Sequence, residues 1–191
     1  MAMAYEAEID GIYYELLEDD PTKAKVTYKG NYPSEYDEYK GDIIIPDDIT
    51  YDGETYHVEF IGAEAFAHCS SLTSVKLGGL IWYIEGGAFK ECSALGSIIS
   101  QSSDYGTLAF IGGEAFYGCS NLTTIKLPSR HLIEIGSKAF YGFSSLTSLN
   151  LPGPEYDWDP SEKSVGNEAF YGCSNLTTIN IPKFTQIGDG V

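Results

Sequence analysis

IGGEAFYGCSNLTTIKLP at residues 111–128 returns almost letter for letter as VGNEAFYGCSNLTTINIP at residues 165–182. Three weaker versions, IGAEAFAHCSSLTSVKL, IEGGAFKECSALGSII and IGSKAFYGFSSLTSLNLP, begin at Ile61, Ile84 and Ile135, and a sixth start, IGDGV, opens at Ile187. Successive starts lie 23, 27, 24, 30 and 22 residues apart, which is the size of a short stacking unit. The motif keeps its length, and the insertions fall after its "LP" end, at Ser100 to Thr107 and at Gly153 to Ser164.

In the third copy the recurrent apolar letters are Ile111, Ala115, Phe116, Cys119, Leu122, Ile125 and Leu127. Their step is three from Phe116 to Ile125 and two thereafter. A period near three predicts a short helical or 3₁₀ turn, and a period of two predicts a strand. Each copy therefore reads as one coil, with a compact AFxxC turn on one side and a strand around Thr124 to Leu127 on the other. One coil cannot bury its own apolar face, so the copies must stack, their strands forming a parallel sheet. Phe66, Phe89, Phe116, Phe140 and Phe170 then form an interior column beside Ala65, Ala88, Ala115, Ala139 and Ala169. The glycine after the starting Ile (Gly62, Gly112, Gly136, Gly166) is expected at a left-handed or close-approach position, although Glu85 fills it in the second copy. Pro128, Pro152 and Pro182 end strands without needing a ladder donor. The second copy has Ser100 where Leu is expected and no Pro, so its strand is expected to end early.

The pattern I-G-x-x-A-F-x-x-C-x-x-L-x-x-I-x-L-P resembles the BspA-like, or Treponema-type, leucine-rich repeat, found chiefly in surface and secreted proteins. The resemblance covers residues 61–190. It implies an α/β, β-rich chain: a right-handed leucine-rich-repeat solenoid with a parallel sheet, short helical turns and an amino-terminal β cap. It also implies non-enzymatic, adhesin-like binding to host matrix or cell-surface proteins, in an extracellular or cell-surface setting.

Residues 1–60 are read as the cap, and residues 61–191 as five repeats plus a truncated sixth. Ala7 to Leu17 and Ala24 to Gly30 are strand-like runs around a turn-rich connection with Pro21. GDIIIP, residues 41–46, mimics the strand-plus-Pro end of a repeat, and Asp52-Gly53 signals a hairpin feeding Ile61. DGIYY and the run from Ile45 to Val58 resemble the amino-terminal caps of the same family. Such a segment would cover the open apolar end of the first coil. No comparable cap is written after Ile187, so either the native protein continues or another molecule shields the last coil; continuation is the favoured reading.

A net charge of −17 argues against nucleic acid, which needs a basic stripe. The acid is uneven, with 16 Asp and Glu against 4 Lys in residues 1–60. An acidic surface of this kind keeps a protein soluble and monomeric, with calcium or a basic partner as alternatives and weak end-to-end association as the oligomeric one. No run approaches the roughly 18 apolar residues of a membrane helix. No signal peptide is seen, and Met1 to Ala4 reads as an expression start on a mature sequence.

Cys69, Cys92, Cys119 and Cys173 share one phase of the coil, where Phe143 stands in the fourth copy. Neighbouring coils would hold their Cβ atoms about 4.8 Å apart, longer than disulfides usually allow, so buried thiols acting as apolar fillers are expected. No CxxC or histidine cluster suggests zinc. His57, His68 and His131 occupy different phases with no nucleophile beside them, so no catalytic site and no cofactor is expected.

The stretch from Glu155 to Glu162, with Tyr156 and Trp158, reads first as a solvated insertion loop whose aromatics fold back. An aromatic contact point and a crude set of calcium ligands remain as alternatives. Outward-facing strand residues are Ser74 and Lys76, Ser97 and Ile99, Thr124 and Lys126, Ser148 and Asn150, and Thr178 and Asn180. These ladders stabilise a sheet by themselves, yet such faces are also where leucine-rich repeats bind proteins. The candidate ligand-binding residues are accordingly Thr124, Lys126, Ser148, Asn150, Thr178, Asn180, Tyr156 and Trp158. A purely structural spacer and a calcium-dependent glycan binder are the rival readings. Asn121 and Asn175 fit a glycosylation sequon but are expected to be turn residues bonding backbone.

Overall fold

The computed structural model describes residues 5–30, 38–101, 107–127, 129, 131–151 and 163–191. Each coil contributes two strands rather than one. The residue before the starting Ile, together with that Ile, forms β8 (Tyr83–Ile84), β10 (Phe110–Ile111), β12 (Glu134–Ile135), β14 (Ser164–Val165) and β16 (Gln186–Ile187). These pair parallel in chain order and extend a sheet that begins with β1 (Ala7–Ile9), β2 (Ile12–Leu16), β3 (Lys23–Thr27) and β6 (Glu54–Ile61). The sheet has ten strands, with β5 (Asp48–Tyr51) paired antiparallel to β6.

On the other side of the coils lies the sheet foreseen from the two-residue period. It contains β4 (Gly41–Ile44), β7 (Leu72–Leu77), β9 (Ser97–Ser100) and β11 (Thr124–Lys126), all parallel. A separate two-stranded ladder of β13 (Ser148–Asn150) and β15 (Thr178–Asn180) lies next to β11. The second copy departs from expectation here. Its strand runs through Ser100, paired with Leu77, and is longer than β11, because the ladder bonds backbone and does not depend on the missing Leu.

The chain is β-rich, and the α component of the expected class is absent: no helix occurs among the described residues. The AFxxC segment is a run of turns, and its hydrogen bonds explain why. The N–H groups of Ala65, Ala67 and Cys69 donate three residues back, to Gly62, Glu64 and Phe66. The intervening N–H groups of Glu64, Phe66 and His68 donate instead to Gly86, Ala88 and Lys90 of the next coil. A helix would turn the Phe66 and His68 N–H groups back to carbonyls of their own segment. The alternation is imposed by left-handed residues, at Glu64 (φ 54°) and His68 (φ 62°) in the first coil and Glu114 (φ 56°) and Gly118 (φ 72°) in the third.

The glycine after the starting Ile serves close approach, and the left-handed positions are those just named. A Cβ on Gly112 would stand 2.6 Å from the Gly86 nitrogen and 2.7 Å from the Glu85 carbonyl carbon. In the second coil Glu85 uses its side chain instead, its carboxylate accepting the Ala63 N–H at 2.8 Å.

The five repeat phenylalanines form one column. Phe66, Phe89, Phe116 and Phe140 are fully buried and Phe170 is half-buried. Successive ring centroids lie 4.9, 5.3, 5.3 and 5.3 Å apart, with interplanar angles of 1°, 2°, 13° and 5°. The column continues into the amino-terminal segment, where Tyr39 lies 4.5 Å from Phe66 and Tyr13 5.9 Å from Tyr39. The buried Tyr39 hydroxyl donates to the Thr27 carbonyl at 2.6 Å and accepts the Tyr13 N–H at 3.1 Å. Burial holds its pKa well above the ordinary tyrosine value.

All four cysteines are thiols. They do more than fill space: Cys92, Cys119 and Cys173 donate to the carbonyls of Phe66, Phe89 and Phe140 in the preceding coil, at 2.9, 3.0 and 3.2 Å. Phe143 replaces that donor with an edge-to-face contact on Phe140, 5.6 Å between centroids. Pro128 and Pro152 lie outside the described residues.

Phe116→Ala removes a ring clamped on both faces and is expected to lower unfolding free energy by about 3–5 kcal/mol in denaturant titration. Two glycine variants separate the backbone roles. Gly142→Ala, at φ 80° with open space around the new Cβ, should cost about 1 kcal/mol. Gly112→Ala, which meets backbone, should cost clearly more in the same titration.

Candidate functional site

The outer face of the short sheet is built by alternation: Val75, Ile98, Ile125 and Leu149 point into the core, so their neighbours point out. One outward row runs Asp42, Ser74, Ser97, Thr124 in register, and the next runs Ile44, Lys76, Ile99, Lys126. On the adjacent ladder Ser148 faces Thr178 and Asn150 faces Asn180. The six candidates from Thr124 to Asn180 therefore share one face, with Lys126, Ser148, Asn150, Thr178 and Asn180 exposed and Thr124 half-buried. Tyr156, Trp158 and the loop considered for calcium lie outside the described residues.

Sequence reading passed over Asp42 and Ile44, which complete both rows from the amino-terminal segment. The signal was available, because GDIIIP had been matched to a repeat strand and its alternate letters are those two residues. Ile44 is 56% exposed beside Lys76. Asp42 accepts the Ser74 hydroxyl at 2.6 Å and the Thr73 hydroxyl at 2.9 Å. These two bonds, with a smaller contribution from Lys76, hold its carboxyl below the ordinary range.

Asp42 is the one acid in the six strands of this face, while Lys76 and Lys126 make no ion pair among the described residues. The face is thus mildly cationic on a chain of net charge −17. Asn180 donates its side-chain amide to Asn150 at 2.7 Å, extending the ladder. Below the strands, Asn121 and Asn175 donate to the carbonyls of Ser93 and Ser144 at 2.7 and 2.6 Å, the backbone-bonding role expected of them.

Two of the three histidines pair with acids. His57 pairs with Asp48 at 2.6 Å and His68 with Glu91 at 3.0 Å, all four side chains being about half exposed. No group of three or more metal-ligating side chains occurs among the described residues, and no helix among them is long and apolar enough to cross a membrane. The arrangement offers a flat, hydrogen-bonding surface of fixed spacing.

The lowered Asp42 pKa has a definite sign. A depressed carboxylate stabilises the fold at neutral pH, and that contribution is lost as pH falls below the ordinary value of 3.8. An NMR titration of the Asp42 carboxyl carbon should give a midpoint below 3.8 in the parent chain, moving back up in Ser74→Ala.

Among solved structures, a leucine-rich cell surface protein from Faecalibacterium prausnitzii superposes with a TM-score of 0.74 at 24% identity, covering 98% of this chain. This chain spans about half of that protein's length, 51%. The leucine-rich repeat protein of T. pallidum gives a TM-score of 0.65 at 26% identity, covering 97% of this chain and 87% of its own. The pneumococcal vaccine antigen PcpA gives 0.51 at 18%, covering 95% and 50%. A search of curated protein sequences found no match. The model of the BspA-type leucine-rich repeat region matches residues 59–191 in six copies, and the chain belongs to that family.

Proposed function

We propose that this chain is a non-enzymatic binding protein of the cell surface or extracellular space, a right-handed solenoid that presents its short sheet to a protein partner. In this reading residues 1–60 act as an amino-terminal cap, and residues 61–191 carry five repeats and the start of a sixth. The observation that carries it is the outer face of β4, β7, β9, β11, β13 and β15. That face places Lys76, Lys126, Asn150 and Asn180 in rows of fixed spacing on a column of buried rings. A rigid surface loses little entropy on binding, and exposed amides and ammonium groups offer donors to a partner's backbone and carboxylates. The partner is a host matrix or cell-surface protein, and the chain acts as a monomer or a weak end-to-end oligomer.

The spacer is the second reading, because the Asn150–Asn180 bond shows that part of the ladder satisfies itself. A calcium-dependent glycan site in the loop around Tyr156 and Trp158 is the third. Biolayer interferometry against a panel of extracellular matrix proteins, with and without EDTA, separates them. The proposal expects EDTA-independent binding to at least one protein, weakened about tenfold by Lys126→Ala with Asn150→Ala at unchanged melting temperature. Absence of any partner would favour the spacer, and chelator-sensitive glycan binding the loop.

A further inference from the structure

We propose that the outer face of the ten-stranded sheet carries a second contact site, which takes an arginine side chain from a basic polypeptide partner. It stands apart from the short sheet, on the other side of the coils. Parallel register places Lys25, Phe60, Tyr83, Phe110 and Glu134 in one row across five strands. Trp82, 43% exposed, inserts between the two phenylalanines. Its ring lies 6.1 Å from Phe60 and 5.2 Å from Phe110, at 86° and 88° to them, and Tyr83 meets Phe110 at 5.2 Å and 45°.

Such a cluster has a structural use, since cross-strand aromatic pairs hold sheets together. What it does not need for that purpose is the charge around it. At one end of the row Lys25 is neutralised by Glu15 at 2.8 Å. At the other end Glu134 is exposed and makes no ion pair among the described residues. The carboxylates of Glu134 and Glu85 both bear on the Tyr83 hydroxyl. Aromatic rings set at right angles beside an unpaired carboxylate suit a cation that is also planar. A guanidinium stacks on an indole or phenol face and bonds a carboxylate with its fork.

Other occupants fit less well. A pyranose asks for a flat platform, whereas Trp82 stands nearly perpendicular to both phenylalanines. A second copy brings another net charge of −17, which opposes its approach, while a basic partner is drawn in by the same field. Trp, Tyr and Arg are also the residue types that dominate binding hot spots.

The test uses the full chain and a synthetic nonapeptide of alternating arginine and serine, with lysine and citrulline counterparts, read by the shift of the Trp82 indole N–H in NMR. The arginine peptide should move that resonance and bind more tightly than the lysine one. The citrulline peptide, of the same shape without charge, should not bind. Affinity should fall as salt rises from about 50 to about 300 mM, and about tenfold in Glu134→Gln and, followed there by the Tyr83 backbone amide, in Trp82→Ala. Glu134→Gln changes an exposed group and leaves the core intact, so it stays informative should Trp82→Ala unfold. Lys126→Ala with Asn150→Ala should leave this binding unchanged, which separates the result from that of the short sheet. Equal binding of the citrulline peptide, unaltered affinity in Glu134→Gln, displacement of the peptide by a neutral oligosaccharide, or loss of the response on dilution to monomer would each overturn the proposal.

Discussion

The structure depends on one repeat distance shared by two different interactions. Backbone ladders in a parallel sheet repeat at about 4.8 Å, and the phenylalanine rings stack at 4.9–5.3 Å. A ring pair is favourable over this range of separations, so neither interaction strains the other. Any slip of one coil against the next would break both at once. The thiol-to-carbonyl bonds and the alternating turn hydrogen bonds follow the same interval, which ties the turns, interior and both sheets to a single register.

Much of this was legible because stacking makes equivalent letters occupy equivalent places. The aromatic column, the short parallel sheet, the Asp52-Gly53 hairpin (φ 50° and 84°) and the backbone-bonding asparagines follow from aligned copies and turn chemistry. What escaped is instructive. The three-residue step in AFxxC was read as helical, but periodicity reports which side chains face inward and is silent on where alternate N–H groups go. Glu64 and Glu114 in left-handed conformations carry no compositional mark, since glutamate has no preference for that region. The repeat portion of the ten-stranded sheet carries no such signal because its strands there are two residues long, below the length at which alternation can be counted. Asp10-Gly11 turns the first hairpin (φ 52° and 77°) by the rule that was applied at Asp52-Gly53, and was overlooked inside an apparently continuous run.

The two sheet faces differ in chemistry as sharply as in position. The short sheet presents hydroxyls, amides and two lysines that make no ion pair among the described residues, around a single acid in its strands, Asp42, already engaged by Ser74 and Thr73. The long sheet presents a tryptophan, a tyrosine and two phenylalanines beside Glu134, which makes no ion pair among the described residues. An acidic chain thus carries aromatic rings with a carboxylate on one face and hydroxyls, amides and lysines on the other. The contrast arises from positions outside the phenylalanine column.

The same separation governs length. Copies differ from 22 to 30 residues, yet the pairing from Ile84 to Ile187 remains in step, because in the sequence the additions all fall between a short-sheet strand and the next long-sheet strand. Residues gained or lost at that junction leave the strands on either side paired in register. Diversification of this lineage therefore has a privileged margin, where new segments can be trialled at little risk to folding.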